Sequence, residues 1–468
     1  MNHPQRSVRL AAVLILRKWS DPSVANFLKD EDEYIVTEAA RAINDDWSIE
    51  EALDELAVVL KEERFTSEPL IRRAINACLR VGGEEEMKML LAFANRKSAS
   101  AEMRAEALAT LGTWSNPSVM DRVDGRYRGP LNNESAELIL LIKAQINDFL
   151  QERDAEILIA IGQMLGNLSI SDYNSQLDDI MKNNKDPKIR SAMLTTLNKL
   201  NYDKIEASIK RGMEDTSEEV RTTAVGLLES LNISKENLPS IIAPIFKNGS
   251  TKEQQKVLTV LGNLPSDKSE DILNKLIDQL LQGKISPSIT LDLKEAVQAS
   301  KSEALIAKLA PLVKNENTLD AYSETLFGGD NGSGSNYFMY NSAAQCVRCH
   351  TLDGQEGTVG PSLSNIGNIL TREELLQALI EPSARLSPGF GSVVLTLKNG
   401  QTVTGILMEE HSEELILKTS EAEPMEIHKS RITKRTNIPS SMPPMGEIMS
   451  KREIRDMVEF LANRKEVK

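Results

Sequence analysis

A bulky apolar residue followed by arginine recurs at nearly constant spacing along this chain, and it constrains the fold more than any other feature. It stands at Val8-Arg9, Ile71-Arg72, Met103-Arg104, Ile189-Arg190 and Val220-Arg221, and each time it opens an apolar stretch with helical spacing. The step from 71 to 103 is 32 residues and that from 189 to 220 is 31, while Ile157 stands 32 before Ile189 without the arginine. Asp186-Pro187-Lys188 precedes one copy as a helix start with proline in the first turn. A period of this size means helix pairs that cannot bury their apolar faces alone and must stack on their neighbours. The expectation is a mainly α chain whose residues 1–318 form a HEAT-like α-solenoid. The qualifier is needed because such repeats usually run to ~40–47 residues.

One irregularity interrupts the array. Between Met103 and Ile157 the step is 54, and the extra length holds Asn116-Pro117 and the run Asp121-Arg122-Val123-Asp124-Gly125-Arg126-Tyr127-Arg128-Gly129-Pro130. Long loops in such arrays are often functional. Three arginines beside a tyrosine point either to contact with a neighbouring domain or acidic group, or to a solvated spacer. Cys78 lies inside a repeat helix and reads as a small buried hydrophobe. Trp19, Trp47 and Trp114 read as core or repeat-junction residues.

The second constraint is chemical. Cys346-Val347-Arg348-Cys349-His350 has the C-x-x-C-H form of a c-type haem attachment site. Two thiols add across the two vinyl groups of one porphyrin, and the histidine supplies the proximal ligand of the iron. A thioredoxin-like dithiol would need a βαβ context, which is absent here. Zinc wants four ligands. With three Cys (78, 346, 349) and four His (3, 350, 411, 428), a closed site would have to recruit the distant His411 or His428.

The residues after the motif suit a small cytochrome. Gly360-Pro361-Ser362-Leu363 puts a proline where it can wall the proximal side and orient the histidine ring, and Leu363 offers an apolar contact. Thr371 with Glu374 has the form of a capping box opening a helix that Pro382 stops. Ser450 to Ala462 reads as an amphipathic helix with Ile454, Met457, Val458 and Leu461 on one face. A low-spin electron carrier needs a second axial ligand, and methionine raises the potential. In Ser441-Met442-Pro443-Pro444-Met445-Gly446, Met442 is the favoured ligand and Met445 the alternative. Met339 lies close before the attachment site and reads as a packing residue.

His350 and Met442 are 92 positions apart, long for a compact cytochrome. Residues 391–436 account for the excess. Val393–Leu397 and Thr402–Leu407 around Asn399-Gly400 read as a β-hairpin, and short strands come next near Leu415–Thr419, Met425–His428 and Ile432–Lys434. The 46 inserted residues leave 46 of the 92. His411 and His428 fall in this insert as exposed turn or strand residues.

With those elements in order, residues 320–466 resemble the haem-binding domain at the C-terminus of membrane-bound dehydrogenase-like proteins of the Planctomycetes, Verrucomicrobia and Bacteroidetes type. The resemblance rests on the C-x-x-C-H motif, Gly360-Pro361-Ser362-Leu363-Ser364-Asn365-Ile366-Gly367, Glu381-Pro382-Ser383, Pro388-Gly389-Phe390, the strands around Gly400 and Gly405, and Ser441-Met442-Pro443. It implies a class I-like cytochrome c domain over 319–466 with covalent haem c and its iron. Cys346, Cys349, His350, Pro361, Leu363 and Met442 would hold the haem, with His350 and Met442 on the metal. In that family a β-propeller resembling sugar dehydrogenases often precedes a helical repeat region and then this domain. This chain resembles the last two parts.

The leading function is therefore an electron-transfer module. It would accept electrons from a dehydrogenase and pass them to a cytochrome or other respiratory carrier, with the solenoid docking the donor. No triad, carboxylate pair or phosphate loop marks a substrate-converting site. The alternatives are a peroxidase-like haem enzyme with an open distal position, a haem-based redox sensor or scaffold, and the zinc or dithiol readings. A formal charge of −14 over 468 residues argues against nucleic acid. Haem c attachment, as the resemblance implies, happens outside the cytoplasm, so a periplasmic or extracytoplasmic location is expected. Leu10–Leu16 is apolar after Arg6 and Arg9, but Arg17-Lys18-Trp19 comes next without a small-residue cleavage site, so it reads as the first repeat helix. The expectation is the C-terminal part of a longer exported protein, or a misassigned start. There is no transmembrane-length apolar run.

Overall fold

The computed structural model describes residues 3–231, 233–312, 317–352, 359–385 and 387–465. Within them the protein is mainly helical, with one five-stranded antiparallel sheet near its C-terminus. It divides into two compact units within the segment 234–244.

In the first unit the apolar-arginine pairs mark helix starts. The helices concerned are α1 (Arg6–Trp19), α3 (Glu68–Val81), α4 (Ala101–Gly112), α5 (Ala155–Asn167), α6 (Pro187–Lys199) and α7 (Glu218–Leu227), with α2 (Glu33–Asn44) between the first two. The apolar member falls in the first turn each time. Ile71, Met103, Ile157, Ile189 and Val220 are buried, whereas Val8 on α1 is exposed. From α2 to α7 each helix packs on the next in the series. The arginine has its own task. Arg9 forks onto Asp30 at 2.7 and 3.1 Å, just before α2. Arg190 forks onto Asp215 at 2.8 and 2.7 Å, just before α7. A two-pronged bond of this kind fixes direction as well as distance, so one helix grips the loop that leads into the next.

The 116–130 loop folds back on the end of α2. Arg128 donates to the carbonyls of Asn44 and Asp46, at 2.7 Å each. Arg126 pairs with Asp46 and Arg122 with Glu106. The Asp121 carboxylate is buried, which alone would raise its pKa. The backbone N–H groups of Val123 and Asp124, with Arg128 and Asn76, outweigh that and hold it below the ordinary value. The acidic groups these arginines meet are therefore in the same unit. Trp114 is buried, but Trp19 and Trp47 depart from expectation at 70% and 86% exposed. Trp47 stands between Asp46 and Ser48, both in left-handed backbone conformation, and that turn aims the indole outward.

The second unit joins further helices to the region of Cys346, Cys349 and His350. Here α8 (Thr251–Asn263) packs on α9 (Thr290–Ser300), and α10 (Asn331–Tyr340) and α11 (Arg372–Ile380) both pack on α12 (Lys451–Ala462). Helix α12 begins with a capping box between Ser450 and Glu453 and α11 with one between Thr371 and Glu374. The expected face of α12 (Ile454, Met457, Val458, Leu461) is buried. Its other side carries cations into α9. Arg455 donates to Asp292 at 2.6 Å, both side chains almost wholly buried, and Arg452 pairs with Glu295. Lys451 and Lys294 share Glu324. The 318/319 division expected from the sequence thus lies inside this unit, and a buried ion pair spans it.

The sheet comprises β1 (Ser392–Leu397), β2 (Thr402–Glu410), β3 (Glu414–Lys418), β4 (Met425–His428) and β5 (Ile432–Asn437), in the order β4-β3-β2-β1-β5. Gly400 alone in the first hairpin turn takes positive φ, at +84°, which glycine adopts without Cβ strain. Alternate side chains (Val393, Leu395, Leu397, Val403, Leu407, Leu415, Leu417, Ile427) form a separate core. Those residues all come from the strands, so the sheet buries this face by curling on itself. A single 3₁₀ turn at Lys429–Arg431 returns β5 to the free side of β1.

Candidate functional site

The floor of the site is a close helix crossing. A Cβ on Gly334 of α10 would lie 2.1 Å from the Asp456 carbonyl oxygen on α12, so only glycine permits this approach. One turn on, Phe338 meets Phe460 with ring centroids 5.6 Å apart. Phe338, Leu379, Met457 and Leu461 then present an apolar wall to an open cleft of about 1190 Å³.

The C-x-x-C-H residues stand along that wall. Gln345 turns the chain with a left-handed φ of 48°, and Cys346–Arg348 form a single 3₁₀ turn. The N–H groups of Cys349 and His350 both donate to the Cys346 carbonyl, at 3.2 and 3.0 Å. This tight turn gathers two cysteines and an imidazole on one lip of the cleft. Both cysteines are unbridged. Burial pushes the Cys346 thiol up, which favours the S–H form.

His350 is oriented from behind. Its Nδ1 lies 2.9 Å from the Pro361 carbonyl oxygen, which can only accept, so Nδ1 carries the proton. The lone pair is then on Nε2, the arrangement a metal-binding histidine needs. Gly360 makes room for the ring, since a Cβ there would sit 2.9 Å from Cε1 and 3.0 Å from Nδ1. Pro361 thus meets His350 through its carbonyl. Leu363 lines the cleft and donates its N–H to Thr351 at 2.9 Å.

Met442 and Met445 also line the cleft, but they differ in environment. Met445 is 3% exposed, opens a short 3₁₀ turn and packs in the core formed by α10, α11 and α12. Met442 is half-buried on the preceding segment, with its N–H on Ser440 Oγ at 3.1 Å. Met442 also packs against that core, so the two differ in degree of burial. Met339 is 43% exposed on α10.

Cys346, Cys349, His350, Pro361, Leu363, Met442 and Met445 thus share one cleft, although 99 positions separate the first from the last. His411 and His428 lie exposed on the sheet beside Glu409 and Glu413. Among the described residues no group of three or more His, Cys, Asp or Glu could hold a metal ion.

Sequence reasoning missed helix α10, because Asn331-Gly332-Ser333-Gly334-Ser335 has poor helix propensity. The signal available was Asp330, whose carboxylate caps the helix at the Ser333 N–H, 2.7 Å away. Arg385 also lines the cleft and was missed, and Phe390, read only as part of the Pro388-Gly389-Phe390 element, lines it as well. Comparison of the chain with protein-family models and with curated proteins gives no match to either.

Proposed function

We propose that residues 319–466 are a c-type cytochrome domain, holding haem c through Cys346 and Cys349, and that the chain is an electron-transfer module. The observation that carries this reading is the His350 Nδ1–Pro361 carbonyl bond beside the cysteine pair, in a cleft that Met442 also faces. The residues fit the group. Two free thiols and an imidazole with Nε2 available stand on one lip of the cleft, and Phe338, Leu379, Met457 and Leu461 give it an apolar wall. When bound, haem c supplies one-electron transfer at an iron whose potential depends on its axial ligands and burial. The chain's own part is to fix the imidazole tautomer, to exclude water with Phe338, Leu379 and Met457, and to offer the Met442 thioether as second ligand.

In this reading the HEAT-like repeats of the first unit dock an electron donor of dehydrogenase type, and a cytochrome or other respiratory carrier accepts the electron. Both partners, and an extracytoplasmic location, come from the resemblance and the attachment chemistry. No helix among the described residues is long and apolar enough to cross a membrane. A second reading, a peroxidase-like or gas-sensing centre, is favoured by the partial exposure of Met442 and would require the sixth position to be open.

The deciding experiment is an optical spectrum of the chain expressed with the cytochrome maturation machinery, oxidised and then dithionite-reduced. Sharp reduced α and β bands with an oxidised thioether-to-iron band are the expected result. A high-spin spectrum that responds to peroxide or carbon monoxide would transfer support to the second reading. Absence of covalent haem would overturn both.

A further inference from the structure

The segment carrying Met442 is a thin wall. On one side is the cleft, and on the other a second, shallow groove open to solvent. Pro382, Ser440, Met442 and Pro443 line both. Met442 packs on the helical core from one side only, and on its other face the dispersion contacts that fix a core side chain are missing. Hydrogen bonds at its ends add to this one-sided packing.

Each end has one side-chain tether. At the first, the Ser440 N–H donates to Ser383 Oγ at 3.0 Å, and Ser440 Oγ in turn accepts the Met442 N–H at 3.1 Å. Ser383 is itself tied to the sheet, since its carbonyl accepts from Asn437 Nδ2 at 3.3 Å at the end of β5. At the second, Tyr322 donates its phenolic O–H to the Gly446 carbonyl at 3.1 Å. Tyr322 packs against the helical core that buries Met445.

We propose that Ser383 and Tyr322 are positioning residues for Met442, holding the 440–446 segment between the β insert and the helical core so that the thioether faces the cleft. The insert is then a frame for the sixth-ligand loop. Loosening either tether lets the segment move into the space behind it, and Met442 leaves the cleft. This rests on the cytochrome reading under Proposed function.

The test uses the full chain as purified from cells carrying the maturation machinery, with Ser383→Ala, Tyr322→Phe and the conservative Ser383→Thr. Thr433→Ala is the control, because it removes another hydrogen bond of the same sheet, to the Thr396 carbonyl at 3.0 Å, away from the segment. Two readouts are taken. One is amide hydrogen exchange at Ser440 and Met442, which needs no haem. The other is the thioether-to-iron band with carbon monoxide binding. Ser383→Ala is expected to speed exchange at both amides about fivefold, the effect of one lost hydrogen bond. Ser383→Ala and Tyr322→Phe should both weaken the band and ease carbon monoxide binding. Ser383→Thr should restore wild-type behaviour and Thr433→Ala should change nothing. Exchange and band unmoved in both tether variants would overturn the proposal. A wild-type chain that lacks the band removes the ligand reading instead, and the exchange rates then decide the tether on their own.

Discussion

His350 and Pro361 are joined through a ring nitrogen and a carbonyl oxygen 2.9 Å apart, across eleven positions of chain. The bond leaves one nitrogen of the imidazole to face the cleft. Gly360 is what permits it. Gly360→Ala should push the ring off the Pro361 carbonyl, and the expected outcome is less covalently attached haem and a shifted midpoint potential with unchanged far-UV circular dichroism. Haem staining and redox titration of the purified variant check this.

The two methionines should separate by what they lose. Met442→Ala is expected to remove the thioether-to-iron band and lower the potential with little change in melting temperature. Met445→Ala should keep the band, and as a buried truncation it should cost about 2–5 kcal/mol of stability. Spectra and denaturant melts of the pair distinguish them.

Much of this was legible in the sequence, and the gaps have physical causes. The C-x-x-C-H motif and the α12 face could be read because chemistry or periodicity repeats within a few residues. The hairpin at Gly400 was legible for the same reason. Helix α10 was hidden because Gly334 serves the crossing with α12, a contact with Asp456 122 positions away. Trp47 was misplaced because two left-handed neighbours override its hydrophobicity. The division at 318 missed Arg455–Asp292, since nothing local marks a charge that will be buried against a partner 163 residues earlier.

That ion pair gives its own prediction. Removing one partner leaves an uncompensated buried charge, so Asp292→Ala or Arg455→Ala should each cost about 3–5 kcal/mol. Replacing both together with leucine and methionine should be far milder. Urea melts of the single and double variants would show a strongly non-additive cycle.

Asp330 links the site to pH. Its carboxyl is pulled down to about 2, first by the Lys252 ammonium and then by the Ser333 N–H it caps. A depressed folded pKa contributes stability that is fully present above the ordinary value of 3.8 and is lost as pH falls through about 2. Asp330→Asn keeps the cap and loses the charge, so it should be less stable than wild type at neutral pH and converge with it in that acid window. Asp330→Ala should also lose the cap, at about 1 kcal/mol. Thermal melts between neutral pH and pH 2 measure both.

The pairing of β5 with β1 reaches beyond the sheet. Val393 lies opposite Asn437, and the Ile438 N–H donates to Ser392 at 2.9 Å, so the chain leaves the insert beside the place where it came in. Strand ends that meet in this way insulate the parent fold from whatever the excursion contains. A reporter domain or affinity tag spliced at the Asn399-Gly400 tip would add mass at the far end of β1 and β2 from that junction. The tip is therefore the natural port for engineering this chain.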